Sequence, residues 1–145
     1  MTESLSIRPF AEGDFDAVCA LWQSCGLLRP WNDPAHDIAH CRANPTSELF
    51  VGLLGGMIVA SVMVGNDGHR GAVYYVACAP QHQGKGYARD IMRHGEAWLK
   101  DRGVFKVNLM IRDDNEKVRD FYRAIGYQEE PRIVMSRRLD QDADE

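Results

Sequence analysis

Apolar residues recur along this chain with two different periods, and the points where the period changes mark its elements. Residues 4–10 carry Leu5 and Ile7 in short alternation, which predicts a first strand. From about Asp14, the residues Phe15, Val18, Cys19 and Trp22 recur at helical spacing, and Gly26 stops that helix. The following loop, 27–34, contains two prolines that forbid a continuous helix, yet it is rich in large apolar groups. A short helix is predicted over 34–43, with Asp33 as its cap and Pro34 at its first position. Residues 49–54 and 57–64 flank Gly55-Gly56 and read as a hairpin. Asn66-Asp67-Gly68 is a second turn, leading into a Val- and Tyr-rich strand over 71–79.

From Gly84 the period lengthens again: Ala88, Ile91, Met92, Gly95, Trp98 and Leu99 form one helical face, closed by Gly103. A strand is predicted over 104–111. A helix follows with Val118, Phe121, Tyr122 and Ile125 on one side and Gly126 as its stop. Residues 127–139 hold one or two final short strands interrupted by Pro131. The order β-α-α-β-β-β-α-β-α-β(-β) predicts an α/β (α+β) domain: a mixed, mostly antiparallel sheet of six to seven strands with about four helices. Hairpins make its first half antiparallel, and the helical crossover between the strands at 71–79 and 104–111 makes that pair parallel.

Composition narrows the classes. With 145 residues, 45% hydrophobic and 26% charged, the chain suits one domain over 1–139 with a real core. The net charge of -4 arises in the end segment 140–145, which has four acids and no base and is expected to be a frayed tail. The remaining near-neutral body lacks the basic footprint of a nucleic-acid binder. No apolar run reaches membrane-span length and the start has no basic leader, so a cytoplasmic location without membrane is the default expectation. Cys19, Cys25, Cys41 and Cys78 show no metal or redox spacing. His36 and His40 stand one helical turn apart beside Cys41, but exposed histidines are the commoner reading, and no metal is expected.

The chemistry concentrates between a strand and a helix, at Pro80-Gln81-His82-Gln83-Gly84-Lys85-Gly86-Tyr87-Ala88. A helix start offers unpaired N–H groups and the positive end of its dipole, and glycines let that backbone approach a bulky anion. Together these make a phosphate cradle. Neither G-x-x-x-x-G-K-[ST] nor a G-x-G-x-x-G after a first strand is present.

Gln83-x-x-Gly86-x-Ala88 resembles the Q/R-x-x-G-x-G/A pyrophosphate signature of the GNAT superfamily of acyl-CoA-dependent N-acyltransferases, and Val76-Ala77-Cys78-Ala79-Pro80 is similar to its fourth strand. Asn115 through Phe121-Tyr122 to Gly126-Tyr127 resembles the family's N-x-x-x-x-x-F-Y-x-x-x-G-F/Y block. Segments 27–34 and 67–71 are similar to those of YpeA-type bacterial acetyltransferases.

The resemblance implies acetyl-CoA as donor and an amine as acceptor. Main-chain groups of Val76 and Cys78 pair with pantetheine, and N–H groups of Gln83, Gly84, Lys85, Gly86, Tyr87 and Ala88 take the pyrophosphate. Lys85 adds a charge or is a solvated surface lysine. Asn115 contacts the cofactor or simply caps its helix. Tyr122 matches the tyrosine that protonates the departing sulfur, a sensible task for a phenol; its bland reading is a core aromatic. Direct attack needs no covalent intermediate, so Cys78 is not required as a nucleophile, and a strand N–H can polarise the carbonyl.

The base is open. Relatives acting on protein N-termini place a Glu where this chain has Met110, and Tyr74, Tyr75, His69 or acids near Asp33 are candidates. For the acceptor, Trp31 suits an apolar wall and Asp33 or Asp37 a cationic amine, whereas Arg29 and Arg70 suit an acidic one. Trp31, Asp33, His69 and Tyr75 are the candidate acceptor residues. A non-catalytic acyl-CoA-binding sensor is the competing reading, and a homodimer is a partner that no sequence feature marks.

Overall fold

The computed structural model describes residues 3–140. The chain divides into two compact units, Met1–Met110 and Ile111–Glu145. The acidic segment 141–145 lies outside the described residues.

The first unit is a five-stranded sheet in the order β1-β2-β3-β4-β5. Its strands are β1 (Ser6–Pro9), β2 (Ser47–Leu54), β3 (Met57–Asn66), β4 (Gly71–Cys78) and β5 (Val107–Asn108). The first four pair antiparallel, and β4 with β5 is parallel, as the helical crossover requires. Helices α1 (Phe15–Ser24) and α2 (Pro34–Ala43) precede the long hairpin; α3 (Tyr87–Asp101) makes the crossover.

Alternation along β2 sorts the core into two layers. Leu49 and Val51 join Val18, Leu21 and Trp22 of α1 and Ile38 and Cys41 of α2 in one buried cluster. Phe50 points the other way, edge-on to His94 and Trp98 of α3. Helix α3 buries Ile91, Met92, Gly95 and Leu99, the face that the sequence marks. Gly95 is needed because α3 crosses β3 closely: a Cβ there would stand 2.8 Å from Val64 Cγ1. Gly95→Leu is expected to lower unfolding free energy by about 1–3 kcal/mol through overpacking, outweighing the ~1 kcal/mol helix-propensity gain. Urea denaturation measures it, and an unchanged midpoint would contradict the close crossing.

Among the described residues the sheet has five strands rather than the predicted six to seven. Of the expected strand at 104–111, Val107–Asn108 forms a ladder, pairing with Gly71 and Ala72. Val104 is buried, but Phe105 and Met110 are exposed, and a bulge at Tyr75 bends β4 away from a straight neighbour. Among the described residues of 127–140 there is no strand. Pro131 lacks an N–H, and the apolar Ile133, Val134 and Met135 are consecutive rather than alternating, so no single sheet face would bury them. All three are exposed.

The second unit contains α4 (Glu116–Ala124). Asn115 caps it, accepting from the Val118 N–H at 3.1 Å. Within this unit the Tyr122 ring stands edge-on to Phe121 and Tyr127.

Candidate active site

Strand β4 ends in a short 3-10 turn at Pro80–His82, and the chain then enters α3 through Gln83 to Gly86. Gly84 and Gly86 have φ of +81° and +89°, the left-handed region that glycine enters without a Cβ penalty. Gly86 is the N-cap of α3 and no side chain caps the turn; the Asp90 N–H makes the first helical bond, to Gly86 O at 3.0 Å. The N–H groups ahead of Asp90 therefore converge at a positive dipole end, the arrangement that binds an anion. The Tyr87 side chain is buried, edge-on to His82, so this tyrosine offers the loop its main chain. Ala88 follows it in the first turn.

Gln83 also ties the loop to the strand, because its Nε2 donates to the Cys78 carbonyl at 3.0 Å. The Cys25 thiol donates to the same oxygen at 3.3 Å. Burial pushes the Cys78 thiol up, and only the nearby Lys85 ammonium opposes this. A thiol held protonated is a poor nucleophile. Ala79 N–H donates to Val59 O, so by ladder alternation the main-chain groups of Cys78 point away from β3. Val76 shares that parity, on the side where β5 follows β4 for two residues only.

Between these residues and the turn at 67–70 lies the bulge. Ser61 faces Ala77 and Met63 faces Tyr74, so Tyr75 and Val76 together oppose Val62. Tyr75 has a φ of +53°, the only non-glycine residue with positive φ among those described. Such a conformation costs roughly 1–2 kcal/mol, and the surroundings supply what holds it. The buried Ser61 hydroxyl donates to the Tyr75 carbonyl at 2.7 Å and accepts from Trp22 Nε1 at 2.8 Å. The Tyr75 ring stacks on Trp22 at 3.8 Å and 10°. Its hydroxyl donates to Asp37 Oδ2 at 2.6 Å.

Burial, and after it the Asp37 hydrogen bond, push the Tyr75 phenol well above its ordinary pKa. It is thus a proton donor to Asp37 rather than a group that takes a proton from an amine. Ser61→Ala is expected to cost about 1–3 kcal/mol of stability by leaving the Trp22 N–H and the Tyr75 carbonyl without their partner. Thermal melts with near-ultraviolet circular dichroism of the Trp22–Tyr75 stack would register it; an unaltered melt and spectrum would refute it.

At the bulge lies a cleft of about 530 Å³ between α2, the end of β3 and the middle of β4, lined among others by Asp37, His40, Met63, Tyr74 and Tyr75. The sequence-derived acceptor residues do not all reach it. Tyr75 lines it; Trp31 is half-exposed in the preceding turn, and Asp33 caps α2 by accepting from Ala35 N–H at 3.0 Å. His69 sits in the turn, where its N–H donates to Asp67 Oδ1. Ser61 is the residue that sequence reasoning passes over, while Trp22 reads there only as a helical core position and His40 only as a surface histidine. A lone serine inside the apolar run 58–64 is the one signal that pointed to Ser61.

Tyr122 is buried, which pushes its pKa up to about 12. Its hydroxyl has no hydrogen-bond partner among the described residues, and neither does the Asn115 amide nitrogen. The described residues contain no group of three or more His, Cys, Asp or Glu placed to hold a metal, and the His36 and His40 rings stack on one another. No described helix is long and apolar enough to cross a membrane.

Comparison with known proteins places this geometry. The acetyltransferase (GNAT) family matches residues 15–127. An acetyltransferase of Yersinia pestis (strain Pestoides F) is 43% identical over 136 residues, covering 93% of this chain and 96% of the relative. A solved acetyltransferase from Agrobacterium tumefaciens superposes with a TM-score of 0.78 at 22% identity, over 92% of this chain and 99% of that one. AAC(6')-Iy, solved with the bisubstrate analogue CoA-S-monomethyl-acetylneamine, superposes with a TM-score of 0.80 at 14% identity, over 94% and 99%. These last two likenesses carry the fold. The family match and the long, close relative carry the assignment: the chain belongs to the acetyltransferase (GNAT) family and is an acyl-CoA-dependent N-acetyltransferase that moves an acetyl group to an amine.

Proposed function

We propose that the chain binds acetyl-CoA along the open edge of β4 and the loop from Gln83 to Ala88, and transfers the acetyl group to a primary amine by direct attack within a ternary complex. The observation that carries this reading is the uncapped start of α3, with Gly84 and Gly86 in the left-handed region directly after β4. Pyrophosphate accepts from the N–H groups of residues 84–88, with Lys85 adding charge, whereas the Gln83 N–H already donates to the Pro80 carbonyl at 3.4 Å and closes the turn before them. Pantetheine runs along the main chain of Val76 and Cys78, pairing with the outward groups of Val76 and the N–H of Cys78, whose carbonyl is already taken by Gln83 and Cys25. The Asn115 amide supplies a further donor to the cofactor.

In the reaction the neutral amine nitrogen attacks the thioester carbonyl, whose oxygen is polarised by a β4 N–H. The C–N bond forms and the C–S bond breaks. The thiolate takes its proton from Tyr122, the nitrogen loses one to solvent, and the Tyr122 phenolate recovers one from solvent, which closes the cycle. The acceptor enters the cleft between α2 and the bulge in β4, where Tyr75 stands; Trp31, Asp33 and His69 lie in the segments that flank it. On this reading the chain takes acetyl-CoA as its donor, needs no metal, and acts in the cytoplasm. Exposed Ile133, Val134 and Met135 suit contact with a second copy, which sizing by light scattering would detect.

The test is free-thiol release from acetyl-CoA across a panel of primary amines. Amine-dependent thiol release with the acetylated amine recovered supports the reading. Tight CoA binding with no release for any amine would replace it with a sensor.

A further inference from the structure

We infer that Asp37 anchors a second amino group of the acceptor in its protonated form, so that the substrate class is a diamine rather than a simple amine or an amino acid. This rests on the reading that the cleft between α2 and β4 receives the acceptor.

The charge of the cleft comes first. Among the described residues that line it, Asp37 is the one carboxylate, and none is a lysine or arginine. The two arginines that would suit an acidic acceptor are engaged elsewhere. Arg29 donates to the carbonyls of Gly26 and Leu28, and Arg70 donates to the His69 carbonyl with its guanidinium over the Phe105 ring. The cleft therefore presents one lining carboxylate, with Asp33 near enough to act on the Tyr75 hydroxyl, His40 as its one basic side chain, and walls that include the apolar Leu27, Met63 and Val64 beside Asn32 and Ser47.

That charge is also aimed. Asp37 Oδ2 takes the Tyr75 hydroxyl at 2.6 Å, while Oδ1 has no hydrogen-bond partner among the described residues. The phenol is fixed in turn by its stack on Trp22 and by the Ser61 bond to its own carbonyl. An acid in the first turn of α2 has an ordinary reason to exist, since it complements the helix dipole. The dipole does not account for a strained tyrosine, bulged out of β4, meeting that acid. Strain concentrated on one residue of a cleft is the mark of a positioned functional group.

The chemistry then fixes which nitrogen is held. An ammonium paired with a carboxylate keeps its proton, because the opposite charge favours the charged form. A protonated nitrogen has no lone pair with which to attack a thioester. The nitrogen on Asp37 is therefore not the one acetylated, and the acceptor needs two, joined by a spacer that the apolar walls accept.

Calorimetry on CoA-saturated protein tests this with 1,4-diaminobutane, butylamine and 4-aminobutanoate, alongside thiol release from acetyl-CoA. The diamine is expected to bind at least tenfold more tightly than butylamine, and 4-aminobutanoate more weakly than both. Asp37→Asn, which keeps an acceptor for Tyr75, should bring the diamine within about twofold of butylamine. Equal binding of the two amines, no measurable binding of the diamine, or a diamine preference that survives Asp37→Asn would overturn the inference.

Gly65→Phe separates the two levels, because Gly65 lines the cleft and its added Cβ meets only Ser47 Cβ and the Thr46 carbonyl, at 3.7 and 4.0 Å. If this variant still binds CoA but excludes both amines while Asp37→Asn keeps the preference, only the anchor fails. If it binds and acetylates both amines like the parent, the cleft itself is not the acceptor site and both readings fall.

Discussion

Tyr122→Phe is expected to lower kcat by about 10²–10³-fold, while CoA affinity and folding stability at neutral pH stay close to those of the parent. The separation of these effects follows from the side chain's surroundings. Its ring is buried against Phe121 and Tyr127, and a phenylalanine keeps that packing. Its hydroxyl has no hydrogen-bond partner among the described residues, so removing it strands no buried group. A structural tyrosine in this position would therefore lose almost nothing on substitution. A proton donor to a leaving thiolate would lose the transition-state proton and leave ground-state binding intact. Steady-state kinetics with a fixed amine, together with calorimetry for CoA, makes the comparison; unchanged kcat would end the acid role.

The pH dependence sharpens the same test. Burial disfavours the phenolate and raises the Tyr122 pKa to about 12. The donor thus stays protonated across the whole working range, and no alkaline loss of activity below about pH 11 should trace to it. Linkage gives a stability signature of definite sign. An unfolded tyrosine titrates near 10, so the folded state holds the proton more firmly between that value and about 12. The stabilisation is complete below pH ~10 and is lost as pH rises through ~12. Tyr122→Phe should flatten that part of the melting-temperature profile.

The sequence and the structure agree where local physics is sufficient. The 3.6-residue period of α3, the Asp33-Pro34 start of α2 and the Asn115 cap of α4 are each decided within a few residues, and each is found. The Gly84 and Gly86 loop belongs with them, since a strand, two glycines and an amphipathic helix in that order leave few conformations open. The strand count was not legible, because Ile133, Val134 and Met135 have strand propensity but no alternation to assign a face.

The bulge at Tyr75 was hidden for a different reason. Nothing in Val73-Tyr74-Tyr75-Val76 signals a left-handed residue, and the partners that hold it lie 14 and 38 positions away, in Ser61 and Asp37. The cleft proposed for the acceptor therefore depends on contacts that a linear reading cannot pair. The site proposed for the donor depends mostly on a contiguous stretch. That contrast explains why the loop points to the donor from sequence, while Asp33 or Asp37 and Arg29 or Arg70 stand as opposite hints about the acceptor.

Gly86→Val is expected to weaken CoA binding by about 10–100-fold while leaving pantetheine, which lacks the pyrophosphate, nearly unaffected. A Cβ at Gly86 meets Arg89 Nη2 at 2.9 Å, the end of a flexible side chain that can move aside. The decisive obstacle is instead the φ of +89°, which a β-branched residue resists by roughly 1–2 kcal/mol or more. The loop relieves that strain by rotating the peptides on either side, and the N–H groups of residues 86–88 then cease to converge. Each charge-assisted bond to phosphate is worth about 1.5–3 kcal/mol, so losing one accounts for the expected range. Lys85→Ala serves as the comparison: an exposed ammonium contributes about 0–1 kcal/mol and its loss should cost only a few-fold. Calorimetric titration of both variants with CoA and with pantetheine resolves the cause. Equal weakening of the two ligands by Gly86→Val would mean that the unit had been distorted as a whole. A larger effect from Lys85→Ala would mean that side-chain charge, and not the backbone cradle, holds the pyrophosphate.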